Sequence, residues 1–202
     1  GSTVPVSLAV HGDHQVSNAL CAAAVALECG ATLEQVAAAL ASAGPASANR
    51  MQVSTRPDGV TIVNDAYNAN PDSMSAGLKA LAWMSRDGAS KRRSWAVLGE
   101  MAELGEEAIS EHDRIGRLAV RLDVSRLVVV GTGRPMSAML HGAVMEGSWG
   151  SEATAVADAG AALDLLRAEL RPGDVVLVKA SNSAGLGTLA DTLAAEGAGD
   201  AG

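Results

Sequence analysis

Aromatic side chains are nearly missing from this chain: 202 residues hold three Trp, one Tyr and no Phe. A core built without them must rely on Ala, Val, Leu and Met, and the stacking platforms used to bind single-stranded nucleic acid are almost absent. Basic excess is missing too. Fifteen Lys and Arg face 23 Asp and Glu, giving a formal net charge of −8 and a pI near 4.9. That is the wrong sign for neutralising a phosphate backbone, so nucleic acid is not an expected partner. No apolar run approaches the ~20 residues of a membrane span, because Asn18 and Glu28 interrupt the Ala-rich segment. No membrane partner is expected. Cysteine is scarce: Cys21 and Cys29 are the only two. Within one helical stretch their spacing sets them roughly 12 Å apart, beyond the ~7 Å reach of a disulfide. Two reduced thiols indicate a cytoplasmic protein. Gly1-Ser2 reads as a cloning remnant rather than a leader.

What is present suits a soluble globular protein, with 48% hydrophobic and 19% charged residues. The length accommodates one or two domains with a substantial core. Val16, Leu20, Ala23, Ala24 and Leu27 recur at helical spacing between Asp13 and Gly30, and a second amphipathic helix starts at Thr32 with Leu33, Val36, Ala37 and Leu40 inward. Ser42 to Asn49 reads as a linker. Beyond it the pattern changes. Met51–Thr55 and Val60–Val63 flank Pro57-Asp58-Gly59, a hairpin signal. Apolar strands then follow at 94–98, 126–130 and 174–178, with a short extra one at 153–156, separated by helices near 72–85, 108–122, 135–145, 158–170 and 186–195. This alternation predicts an α/β fold: a Rossmann-like, doubly wound, mostly parallel sheet preceded by a helical hairpin.

Chemistry gathers where strands end. The run Asn64-Asp65-Ala66-Tyr67-Asn68-Ala69-Asn70-Pro71-Asp72-Ser73 fills the elbow between a strand and a helix, where α/β sheets bind ligands. A structural elbow needs one N-cap, not an Asp, a Tyr and two Asn as well. Leu98-Gly99-Glu100-Met101-Ala102-Glu103-Leu104-Gly105 and Lys179-Ala180-Ser181-Asn182-Ser183 end two further strands. The three corners are expected to converge. Glu100 and Glu103 lack a third clustered ligand, so no metal site is assigned. Gly131-Thr132-Gly133 has Met136 where a dinucleotide fingerprint needs its third Gly, and reads as a tight turn. His112 reads as a helix-surface or helix-start residue and receives no catalytic role.

Together these segments resemble the Mur ligases of peptidoglycan synthesis, over nearly all of residues 6–195. Gly12 to Ala24 is similar to the Gly-x-His-Asn-x-x-Asn-Ala-x-Ala-Ala run that closes the family's ATPase domain, with Gln15 in place of the first Asn. The resemblance assigns adenine contact to Asn18, which offers a paired donor and acceptor, and places His14 beside it. It implies that Arg50, whose fork suits phosphate oxygens, reaches the nucleotide phosphates; Asn49 stands where the family has Gly. Asp65 is implied to contact the ribose, and Asn68 and Asn70 to face the incoming amino substrate. Tyr67-Asn68-Ala69-Asn70 and Gly99-Glu100-Met101-Ala102-Glu103-Leu104-Gly105 are similar to the MurF type, which adds D-alanyl-D-alanine to UDP-MurNAc-tripeptide through an acyl phosphate, using ATP and Mg²⁺. Lys179 and Ser181 are implied to hold the dipeptide, with Ala180 and Asn182 replacing the family's Gly and Arg.

The resemblance implies three parts: 1–48, the last helices of a central ATP-binding domain; 49–195, the C-terminal Rossmann-like domain; and 196–202, a disordered tail. The sequence has no Gly-x-x-x-x-Gly-Lys-(Ser/Thr) run, so the chain alone is expected to be inactive, with ATP and Mg²⁺ held mainly elsewhere. A monomer is expected. Another Mur ligase, a folylpolyglutamate synthase, or a stand-alone α/β binding module remain as alternative readings.

Overall fold

A computed structural model of the chain describes residues 3–8, 13–43, 50–87, 91–147, 150 and 152–196, without the side chains of Asp13 and His14. Most of the expected linker at 42–49 and of the tail at 196–202 lies outside the described residues. Two compact units result, Gly1–Met51 and Gln52–Gly202.

In the first unit, helix α1 (Asp13–Glu28) ends at Gly30, whose φ of +92° is a conformation glycine adopts at no steric cost. Helix α2 (Leu33–Ser42) begins with a capping box in which the Thr32 hydroxyl and the Gln35 side chain each accept the other residue's backbone N–H. Only Val36 of α2 is buried, and Val16, Leu20, Val25 and Leu27 of α1 are exposed.

The second unit is a six-stranded mixed sheet with helices on both faces. Its strands are β1 (Gln52–Thr55), β2 (Thr61–Asn64), β3 (Ser94–Leu98), β4 (Arg126–Val130), β5 (Ala153–Val156) and β6 (Val175–Lys179), in the order β1-β2-β6-β3-β4-β5. β1 pairs antiparallel with β2; every other pair is parallel. The β1–β2 turn uses Gly59 at φ +83°, and the Asp58 carboxylate accepts the Val60 N–H.

Helices α3 (Pro71–Arg86), α4 (Ala108–Arg121) and α5 (Arg134–Glu146) cover one face, and α6 (Ala159–Glu169) and α7 (Leu186–Ala195) the other. Alternation along each strand divides the core. Ile62, Trp95, Val97, Val128, Val176 and Val178 meet Leu166, Leu189 and Leu193 on the α6–α7 face. Their neighbours, such as Val63, Ala96, Leu98 and Leu177, point to the α3 side. α4 and α5 approach closely through glycines: a Cβ on Gly116 would lie 1.9 Å from the Met139 carbonyl oxygen.

This winding positions the candidate site. β2 and β3 lead into helices on the α3 face, whereas β6, inserted between them, leads into α7 on the opposite face. Outgoing chain therefore diverges on both sides of β6, at the carboxyl ends of these three strands, the position where α/β sheets place ligands.

Candidate functional site

The elbow after β2 is fixed from below and from the side. The Asp65 N–H donates to the Val178 carbonyl at 2.9 Å, prolonging the β2–β6 ladder. Asn64 is buried; its amide donates to the Gly187 carbonyl and to Asp191, and its side-chain oxygen accepts the Ala66 N–H. These bonds anchor the elbow to α7. At its far end Asn70 caps α3: its side-chain oxygen accepts the Ser73 N–H at 2.8 Å, the Ser73 hydroxyl accepts the Asn70 N–H, and Pro71 supplies the first helical residue. Asn68 and Tyr67 are exposed between these anchors.

β6 delivers Lys179 beneath this elbow. The side chain is 2% exposed, and its ammonium donates to the Asp65 carboxylate at 2.7 Å and to the Asn68 carbonyl at 2.9 Å. The resemblance implies that Lys179 holds the dipeptide; in the structure its ammonium bonds Asp65 and Asn68.

The 99–105 loop after β3 is held on the other side of β6. The Gly99 N–H donates to the Lys179 carbonyl, the Ser181 N–H to the Glu100 carbonyl, and the Ala102 N–H to the Ser181 hydroxyl at 2.9 Å. Gly99 is required here: a Cβ would stand 2.8 Å from that of Ala180, which is fully buried. Glu103 adopts φ +65° and is exposed, an uncommon conformation for a residue with a side chain. The structure thus brings residues 65–70, 99–105 and 179–183 to one end of one sheet.

His112 is where sequence reasoning misses most. A surface helix residue is expected, yet it is fully buried in α4. Its Nε2 accepts the Met101 N–H at 2.9 Å, which leaves Nδ1 as the protonated nitrogen, donating to the Ala108 carbonyl. Burial pushes its pKa below the ordinary value of 6.5, against opposing pulls from the Ala108 carbonyl and from Glu100 and Glu111. A neutral imidazole therefore pins the middle of the 99–105 loop. No periodicity links it to Met101, eleven positions away, so the local pattern carries no signal of this bond.

The remaining expected nucleotide contacts belong to the first unit. Asn18 is exposed and donates to the Gln15 side chain at 3.2 Å; Arg50 is exposed; the His14 side chain lies outside the described residues. Among the described residues no group of three or more His, Cys, Asp or Glu could hold a metal ion, and no helix is long and apolar enough to cross a membrane.

Comparison with known proteins fits this layout. Residues 49–182 match the model of the Mur ligase glutamate ligase domain. This chain belongs to the Mur ligase family. It is 73% identical over 202 residues to the UDP-N-acetylmuramoyl-tripeptide–D-alanyl-D-alanine ligase of Mycobacterium tuberculosis, covering 95% of this chain and 40% of that protein. The enzyme of the same name from Mycobacterium leprae is 69% identical, over 96% of this chain and 39% of that protein. Among solved structures, a MurF from Acinetobacter baumannii aligns with a TM-score of 0.78 at 28% identity, over 94% of this chain and 39% of that one. The chain thus spans about two fifths of the length of the relatives it matches.

Proposed function

We propose that this chain is the C-terminal part of an ATP-dependent amide ligase that adds D-alanyl-D-alanine to UDP-MurNAc-tripeptide. The observation that carries the reading is the convergence of three polar corners at the switch points beside β6, in a chain so similar to enzymes of that name. ATP supplies the phosphoryl group that activates the tripeptide carboxylate as an acyl phosphate. The dipeptide amine then attacks the acyl carbon, phosphate leaves, and the amine gives up a proton.

In this reading residues 1–48 are the last helices of the central ATP-binding domain, and 49–195 form the C-terminal domain. The exposed apolar residues of α1 suit a helix that packs within a larger domain. The Asp65 carboxylate, at a strand's carboxyl end, matches the two hydroxyls of the ATP ribose. Arg50 serves the phosphates, and Asn18 with His14 the adenine. Asn68, exposed at the elbow, and Ser181, whose hydroxyl accepts the Ala102 N–H, face the dipeptide; Asn70 shapes the elbow through its cap. Mg²⁺ and most of the ATP contacts fall to the rest of the protein, which acts as a cytoplasmic monomer.

The test is amide formation by the intact protein from UDP-MurNAc-tripeptide and ATP. D-Alanyl-D-alanine is expected to be ligated and single amino acids rejected. Preference for one amino acid would assign the chain to a different Mur ligase. The 202-residue chain alone is expected to release no phosphate from ATP.

A further inference from the structure

Lys179 is the most deeply buried charge at the carboxyl end of the sheet, and its surroundings are built for it. By strand alternation its side chain enters the α3 face, where Gly77 stands inside a helix. Glycine is unfavourable there relative to alanine, but a Cβ would lie 3.2 Å from Lys179 Cδ and 3.3 Å from Leu177 Cδ2. Gly77 therefore opens the slot through which the aliphatic stem runs. The ammonium emerges under the elbow and spends two of its three N–H groups on it, one on the Asp65 carboxylate and one on the carbonyl of Asn68. One cation thus ties two points of the elbow three residues apart. With the side chain 2% exposed, a dissolved carboxylate has little access to the ammonium while the pair with Asp65 stands.

We propose that Lys179 is a positioning residue: through the ion pair it sets the orientation of the Asp65 carboxylate, and so governs nucleotide binding rather than dipeptide binding. This deepens the ligase reading and rests on it. Direct recognition of the dipeptide carboxylate by Lys179 is the competing role, and the two predict opposite kinetic splits.

The experiment uses the intact ligase as wild type, Lys179→Met, Asp65→Asn and the double variant. Lys179→Met is expected to raise the KM for ATP about tenfold while the KM for D-alanyl-D-alanine stays within about twofold. The double variant is expected to be no worse than Asp65→Asn alone, because Lys179 acts through Asp65. A raised dipeptide KM with ATP unmoved, or multiplying effects in the double variant, would overturn the proposal. Should Lys179→Met fail to fold, the double variant, with both charges gone, still carries the comparison against Asp65→Asn. A second readout needs no turnover: in the 202-residue chain, Lys179→Met is expected to speed amide exchange across Ala66 to Ala69 at least about tenfold, with Ala96 and Val97 in β3 unmoved. Unchanged elbow exchange contradicts the inference. A wild type that ligates no D-alanyl-D-alanine sinks the ligase reading, and the exchange result then decides the elbow clamp by itself.

Discussion

At the amino ends of β3 and β6 the Asp174 carboxylate accepts two bonds from Arg93, one from the Trp95 indole N–H and one from the Arg171 backbone, whereas at the carboxyl ends Lys179 divides its ammonium between Asp65 and the Asn68 carbonyl. The first cluster closes on itself. Two guanidinium groups stand over the Trp95 ring, Arg93 at 5.3 Å and Arg126 at 5.0 Å from its centre. Arg92 adds bonds to Thr61 and to the carbonyls of Gly59, Gly173 and Asp174. The Asp174 side chain is 4% exposed, and its hydrogen bond to Arg93 holds that guanidinium's pKa above its usual range. The second cluster opens outward: Asn68, Tyr67, Glu100 and Glu103 beyond it are exposed. Both ends bury an ion pair, yet only the carboxyl end lies where the chain leaves toward opposite faces. A satisfied charge at one end staples strands; at the other it braces the elbow after β2.

That contrast breaks first under Asp174→Ala. Removing the acceptor leaves the Trp95 indole and Arg171 backbone N–H groups without it and takes the carboxylate from Arg93, and a loss of about 3 kcal/mol is expected in denaturant unfolding, with KM values of the intact ligase unchanged at low temperature. A shift in ATP KM comparable to that of an elbow variant would erase the distinction between the two ends. Next comes His112→Phe, which keeps the volume but leaves the buried Met101 N–H without an acceptor; about 1–3 kcal/mol should go. Titration sharpens this. The His112 pKa is lower in the fold than in the unfolded chain, so its contribution to stability is complete above the ordinary 6.5 and is lost as pH falls from there toward the folded value. His112→Phe should flatten that part of the stability profile, and an unaltered slope would show that another group titrates. The smallest effect is on binding: Asp65→Asn should raise the ATP KM about tenfold, or about 1.4 kcal/mol, with little change in dipeptide KM.

Much of the fold is legible in the residues because local pattern and global topology agree. β3 and β4 occupy the apolar runs at 94–98 and 126–130, and Thr32 caps α2 as its position before an amphipathic run predicts. β6 runs one residue further, through Lys179, because its apolar stem fits the slot at Gly77. The insertion of β6 between β2 and β3 has no local signal, since strand order is set by which faces can be covered. The α1 stripe shows the limit of periodicity: Val16, Leu20 and Leu27 share a face, but that face is exposed. At the candidate site, sequence marks the three corners by their polar residues at strand ends. It does not mark how they are braced, because the Lys179–Asp65 pair joins residues 114 apart and the Ser181–Ala102 bond residues 79 apart.

The corners at 65–70, 99–105 and 179–183 are expected to share one ligand pair. A crystal structure of the intact enzyme with a non-hydrolysable ATP analogue and D-alanyl-D-alanine tests it most directly. The ribose is expected against Asp65 and the dipeptide between the elbow and the Ser181–Ala102 wall, with Lys179 still paired to Asp65. A dipeptide bound away from all three corners would contradict it.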